Sequence, residues 1–228
     1  LMDADIVISL THFKGHESTG FGGALKNLGM GGGSRAGKMN MHSDEKPFVN
    51  QTLCVGCGAC AKICAHNAPI IENKKCTIDH TRCVGCGRCV AICPKDAVQP
   101  SCDSKSAILN CKIAEYTKAV VDGRPCFHIS IVTDVSPNCD CHAENDVPIV
   151  PDVGMFASFD PVALDVACAD AVNQQPALPH SQLAEAHADE HDHDHFHIVH
   201  PDTDWRSGIA HGIKLGLGTN QYELITIK

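Results

Sequence analysis

Eight cysteines between residues 54 and 93 have the spacing of metal ligands. The first run reads CVGCGACAKIC and the second CVGCGRCVAICP, with eighteen residues between them. Cys54, Cys57, Cys60 and Cys64 recur at an offset of 29 as Cys83, Cys86, Cys89 and Cys93. Eight of the eleven positions are identical, which marks a duplication rather than a chance cluster. Three cysteines two residues apart sit on one tight loop and suit three irons of a single cubane. The fourth, three residues further on, opens onto a helix and points to the other cluster. That crossing assigns Cys54, Cys57, Cys60 and Cys93 to one [4Fe–4S] cluster, and Cys83, Cys86, Cys89 and Cys64 to a second. Gly56, Gly58, Gly85 and Gly87 allow the positive φ that aims backbone N–H groups at sulfur. Structural zinc is the plainer rival, but a four-ligand ion does not account for two duplicated runs of four.

A second group of candidates is dispersed. Cys139 and Cys141 form a CDC pair in SPNCDCH, too close to make an unstrained disulfide, and read as metal ligands or redox thiols. His12, Lys14 and His16 follow an apolar run at residues 4–10. Lys26, Arg35, Lys38 and His42 continue a segment that holds nine glycines. The chemical reading is a binding loop for an anionic or metal-bound group, with Lys14 and Lys26 orienting an anion and His42 available as a further ligand. The plainer reading is a solvated surface loop. If one of the histidines shares a sheet edge with Cys139 and Cys141, an additional metal or cluster site follows. Catalytic roles, where there are any, fall to Cys139, Cys141, His12, Lys14 and His16. Cys76 reads as a small buried hydrophobe, and Cys102, Cys111, Cys126 and Cys168 read as structural.

The elements that must hold these residues are legible in outline. Residues 4–10 are a short apolar run rich in β-branched side chains, a buried strand of a parallel or mixed sheet. A glycine-rich turn and a short helix over about 22–28 follow, where α/β folds put anion sites, but neither the dinucleotide nor the Walker spacing is present. Residues 104–123 have helical periodicity closed by Gly123, and 126–135 read as a strand, so a parallel crossover is expected. The CDC pair then lies just past a strand end, where open α/β sheets bind ligands. Asp160 and Pro161 open another helix as N-cap and N1; Asp152 and Asp160 are expected in turn and capping roles. Residues 205–216 read as a helix and 222–227 as a closing strand. Between them lies a histidine-rich tract within residues 175–200, with six histidines from His187 to His200, read as a solvated insertion or as a weak metal binder.

Composition narrows the class. Fifteen cysteines in 228 residues indicate a secreted disulfide scaffold or a metalloprotein, and their clustering decides for metal. A reducing, cytoplasmic and anaerobic setting is expected. The net charge of −9 argues against a nucleic-acid partner. No apolar run approaches the ~18 residues of a membrane span. The chain opens at Leu1 almost within a strand, which implies a segment upstream.

HFKGH, GFGGALKNLGMG, SRAGK, NCDC, DVGMFASFDPVALD and GLGTNQYEL resemble the domain-of-unknown-function 362 (DUF362) family, over nearly the whole chain apart from residues 175–198. The resemblance implies an α/β domain with iron–sulfur clusters and a redox role, often interrupted by a ferredoxin module, and with the family's usual N-terminal part absent here. Residues 46–100 fit that module: short strands follow each cysteine run, as in a bacterial two-cluster ferredoxin, and Pro94 matches its pattern where Ala65 does not. The expected fold is therefore an α/β domain (1–45 and 101–228) interrupted by a small α+β ferredoxin-like domain (46–100).

The function expected is single-electron transfer between two [4Fe–4S] clusters and a redox partner protein or small anionic substrate on the α/β domain, as a candidate iron–sulfur oxidoreductase. Two rivals are a non-catalytic ferredoxin-like docking module and a carrier of metal or clusters using the CDC pair and the histidine tract. A homo-oligomer stays open.

Overall fold

The structure is a computed structural model that describes residues 1, 3–42, 46–99, 106–141, 145–186 and 193–227. In chain order the elements are β1 (Val7–His12), β2 (Lys14–His16), β3 (Gly20–Gly22), α1 (Ala24–Lys26) with a π turn at Asn27–Gly31, and α2 (Arg35–His42). Then come β4 (Phe48–Val49), α3 (Ala59–Ile63), β5 (Pro69–Glu72), β6 (Lys75–Ile78), α4 (Arg88–Ile92) and β7 (Val98–Gln99). The chain closes with α5 (Ser106–Val121), β8 (Cys126–Val132), β9 (Gly154–Ser158), α6 (Pro161–Asn173), α7 (Gln182–Glu185), α8 (His195–Val199) and α9 (Trp205–Lys214). They form two compact units, Leu1–Gly32 with Ser106–Lys228, and Gly33–Lys105. Helix α2 and its His42 belong to the second.

The larger unit is mixed α/β. Its sheet has the order β1-β8-β9, with β1 parallel and β9 antiparallel to the central β8. Ser9 pairs with His128, and the two parallel strands end side by side at His12 and Ile131. Alternation along β1 buries Val7, Ser9 and Thr11 and turns Ile8 and Leu10 outward, 68% and 62% exposed. Val7 packs with Leu28 and Val120, so the buried face is the one that α5 covers. That face is polar at its centre: Ser9 Oγ lies 2.9 Å from His128 Nδ1.

Two carboxylates fix the helices. Asp160 caps α6 by accepting from the N–H groups of Val162 and Ala163 at 2.8 and 2.9 Å, with Pro161 at the first helical position. Its second oxygen accepts the Thr219 N–H at 2.8 Å. Asp165, fully buried on α6, accepts from Ala24 and Leu25 N–H at 2.6 and 2.9 Å and anchors the start of α1. A side chain at Gly23 would put its Cβ 2.3 Å from Asp165 Oδ1, so only glycine permits this approach.

Two expectations are corrected. The described part of the histidine tract is packed, not solvated. Asp194 caps α8 and also binds the Trp205 Nε1–H and Arg206, and Phe196 is fully buried against Phe13 and Phe21, with ring centroids 5.8 and 5.4 Å away. One large ring in a polar stretch is enough to order it, because it completes an aromatic cluster. Residues 222–227, expected as a strand, form no ladder among the described residues. All six of these side chains are exposed, so no buried face holds the segment as a strand.

The smaller unit repeats one local design. Helices α3 and α4 each start from a left-handed glycine, Gly58 (φ 78°) and Gly87 (φ 70°), and each ends on an extended cysteine, Cys64 (ψ 114°) and Cys93 (ψ 113°). Strands β5 and β6 form a hairpin, and β4 pairs with β7.

Candidate metal centres

In the smaller unit the thiols converge on two cavities. One is lined by Cys54, Cys57, Cys60 and Cys93, together with Cys76. The other is lined by Cys64, Cys83, Cys86 and Cys89. Each thus takes three thiols from one run and the last of the other. All fourteen described cysteines are free of disulfides. Backbone donors face the sulfurs: Ala68 N–H to Cys64 at 3.4 Å, Ala97 N–H to Cys93 at 3.2 Å, Gly85 N–H to Cys83 at 3.5 Å. Burial alone pushes the Cys93 thiol up, but the N–H groups of Lys95, Val98 and Ala97 outweigh it and hold the thiol below its ordinary value. Burial pushes Cys89 up to about 11, with Cys83 adding to the shift. Cys76 is buried on β6, its Sγ 3.5 Å from that of Cys60, and burial followed by that contact pushes it up to about 12.

The larger unit assembles its candidates at the carboxyl ends of β1 and β8. His12, the last residue of β1, puts Nδ1 2.8 Å from Asp140 Oδ2 and Nε2 2.8 Å from the Thr133 carbonyl. Lys14 Nζ donates to the His12 carbonyl at 2.9 Å and pairs with Asp140 at 3.2 Å. Burial would raise the Asp140 carboxyl, but His12 and Lys14 hold it below the usual carboxylate range. Behind this pair lie His16, at the end of β2, and the CDC loop. Ligand atoms of His16, Cys139 and Cys141 all fall within 4.8 Å of one another. Lys26, the last residue of α1, donates to Cys139 Sγ at 3.1 Å, and the Cys141 N–H donates to the same sulfur at 3.4 Å.

Electrostatics separate the two thiols. Burial raises Cys139, but hydrogen bonds from Cys141 and the Lys26 ammonium win and lower it. Cys141, exposed, is pushed up to about 11, by desolvation first and then by its contact with Cys139. His16 is lowered to about 3, by burial first and then by the charge of Lys26, so its ring is neutral at physiological pH.

The structure thus brings His12, Lys14, His16, Cys139 and Cys141 to one edge, while His42 stands on α2 of the other unit, and His142 and Cys102 lie outside the described residues. Two contributors were not singled out from sequence. Glu17 accepts the Cys139 N–H at 3.4 Å and lies 3.7 Å from His16 Nδ1; its place beside His16 was the only available sign. Asp165 stands out only as an acid in the apolar run VALDVACADAV.

A mixed α/β unit and a cysteine-rich unit each gather thiols in a way that is compatible with a bound metal. It belongs to the family described as domain of unknown function (DUF362), whose model matches residues 1–170. Among curated proteins none matches. No helix among the described residues is long and apolar enough to cross a membrane.

Proposed function

We propose that the chain is an iron–sulfur electron-transfer protein whose smaller unit, Gly33–Lys105, is a two-cluster ferredoxin-like module. The observation that carries this reading is the crossed sorting of the eight thiols of the two runs into two cavities. The donor set fits: four thiols of the two runs at each cavity (with Cys76 as a fifth at the first), N–H groups aimed at sulfur, and left-handed glycines at equivalent places in both halves. Bound there, two [4Fe–4S] clusters would supply one-electron chemistry.

The protein's own residues do the rest. Eight thiolates hold the irons, and the N–H groups of Ala68, Ala97 and Gly85 stabilise sulfur charge, which raises the reduction potential. Burial of Cys54, Cys60 and Cys89 limits water at one side of each site. Val55 and Val84, equivalent in the repeat, are 55% and 60% exposed beside the cavities and offer apolar contact to a redox partner protein. A protein partner suits the larger unit better than a small anion, because Lys14 is engaged by Asp140 and Lys26 by Cys139. The carrier alternative loses support from the histidine tract: His195 and His200 place Nε2 2.9 and 2.7 Å from the carbonyls of Gln175 and Pro137, in structural bonds.

The test is iron and acid-labile sulfide in anaerobically purified protein, followed by reductive titration under electron paramagnetic resonance. About eight of each, with uptake of two electrons, is expected for two cubanes. Iron near zero with zinc in its place would end the reading. Electron transfer that needs a substrate would identify an enzyme; transfer to a carrier protein alone would identify a docking module.

A further inference from the structure

We propose that the larger unit binds one thiophilic divalent ion, of the zinc or ferrous class, through His16, Cys139 and Cys141. The proposal stands apart from the cluster reading, since none of these residues belongs to the two cysteine runs.

Geometry is the first argument. Tetrahedral binding with metal–sulfur bonds of about 2.3 Å and metal–nitrogen bonds of about 2.0 Å sets the ligand atoms roughly 3.5–3.8 Å apart. The observed atoms already lie within 4.8 Å of one another. Closing the remainder takes at most about 1.3 Å, within reach of a rotamer change at Cys141, which is exposed.

The second argument is that the loop and strand are pinned together before any ion arrives. Gly15 N–H donates to the Ser136 carbonyl at 2.8 Å, and a Cβ at Gly15 would lie 2.1 Å from the Pro137 carbonyl oxygen. The residue before His16 is therefore seated directly on the loop that carries Cys139 and Cys141. His200 Nε2, 2.7 Å from the same Pro137 carbonyl, ties that loop down from a third segment.

Charge is the third. Two thiolates on a divalent ion make a neutral set, and the Glu17 carboxylate and the Lys26 ammonium lie beside it with opposite charge. Binding through His16 Nδ1 would replace the hydrogen bond it accepts from the Ser18 N–H at 3.0 Å. Binding through Nε2 would use the other tautomer, with Nδ1–H turned toward Glu17, the carboxylate–histidine–metal arrangement. Three protein ligands leave a fourth position open, as in reactive rather than purely structural zinc sites.

The test uses the full chain, purified anaerobically with its iron, given one equivalent of zinc and desalted. Zinc, iron and sulfide are counted, and zinc-edge X-ray absorption reads the shell around zinc alone. The expected result is one zinc per chain at unchanged iron, with two sulfurs at about 2.3 Å and nitrogen or oxygen at about 2.0 Å. Cys141→Ser and His16→Gln should each cut retained zinc at least tenfold while iron stays constant. Because Cys141 is exposed, its variant keeps the fold, which a thermal melt checks. Zinc retained in the double variant, a four-sulfur shell, or iron lost as zinc enters would overturn the proposal. So would iron and sulfide above eight that disappear in Cys141→Ser, since the three residues would then hold a cluster. A chain with no iron that still binds one zinc in this shell would sustain this proposal while ending the cluster reading.

Discussion

The smaller unit takes three thiols of each cavity from a seven-residue loop, whereas the larger unit gathers His16, Cys139 and Cys141 from segments more than 120 residues apart. The first kind of site is written into covalent spacing and a few left-handed glycines. The second exists only once β1 and β8 pair and the loop after β8 closes on β2. Damage to the first should therefore be confined to metal content in one cavity, and damage to the second should follow the stability of the sheet.

The largest effect is expected from the cavity cysteines, and it tests the crossing directly. Cys60→Ser and Cys93→Ser line one cavity, so each should lower iron from about eight to about four, and the pair together should also leave about four. Cys64→Ser combined with Cys93→Ser breaks both cavities and should leave almost none. Iron analysis of the four proteins distinguishes this from uncrossed ligation, in which both double variants would break both sites and leave almost no iron.

Next in size is Gly15→Ala. Its methyl group would overlap the Pro137 carbonyl, so the larger unit should lose about 2–4 kcal/mol. Zinc binding should fall with it, and iron should stay constant. A drop in iron would show that the two regions are coupled in a way the comparison denies.

Asp165→Ala leaves the buried N–H groups of Ala24 and Leu25 without acceptors, at a cost of about 2–4 kcal/mol. The same carboxyl has a pH signature. Burial lifts it from 3.8 to about 7, against the pull of the two N–H donors. Between those values the folded protein keeps a proton that the unfolded chain has released, so stability falls as pH rises through that window and levels off above about 7. Denaturant midpoints from pH 5.5 to 7.5 should show the decline in the native protein and lose it in Asp165→Asn.

The smallest effect belongs to Cys76→Ala: about 1 kcal/mol, with iron unchanged. A fall to about four irons would instead make the buried thiol a ligand of the first cavity.

Sequence was informative where one segment carries its own signal. The cysteine spacing, the alternation of β1 and the periodicity of α5 need no tertiary partner to be read. Residues 222–227 show the limit: Leu224 and Ile225 are adjacent apolar residues and all six side chains are exposed, so the segment lacks the buried face that alternation gives β1. Phe196 shows the converse, since its surroundings are polar and only contact with Phe13 and Phe21, far upstream, makes it core. The CDC pair and His16 were each visible as reactive residue types. Their meeting was not, because it depends on a parallel pairing and on a glycine, Gly15, whose importance lies in the carbonyl opposite it.

The interruption of the larger unit also has a consequence in time. Ser9 meets His128 across 119 residues, so at roughly 5–20 residues per second the ribosome needs about 6–24 s to supply the central strand after the edge strand. Throughout that interval Ile8 and Leu10 have no sheet to join, while both cysteine runs are already synthesised. The order of manufacture therefore completes the cysteine-rich unit before the larger unit can close, and makes the unpaired first strand the interval's main liability for misassembly.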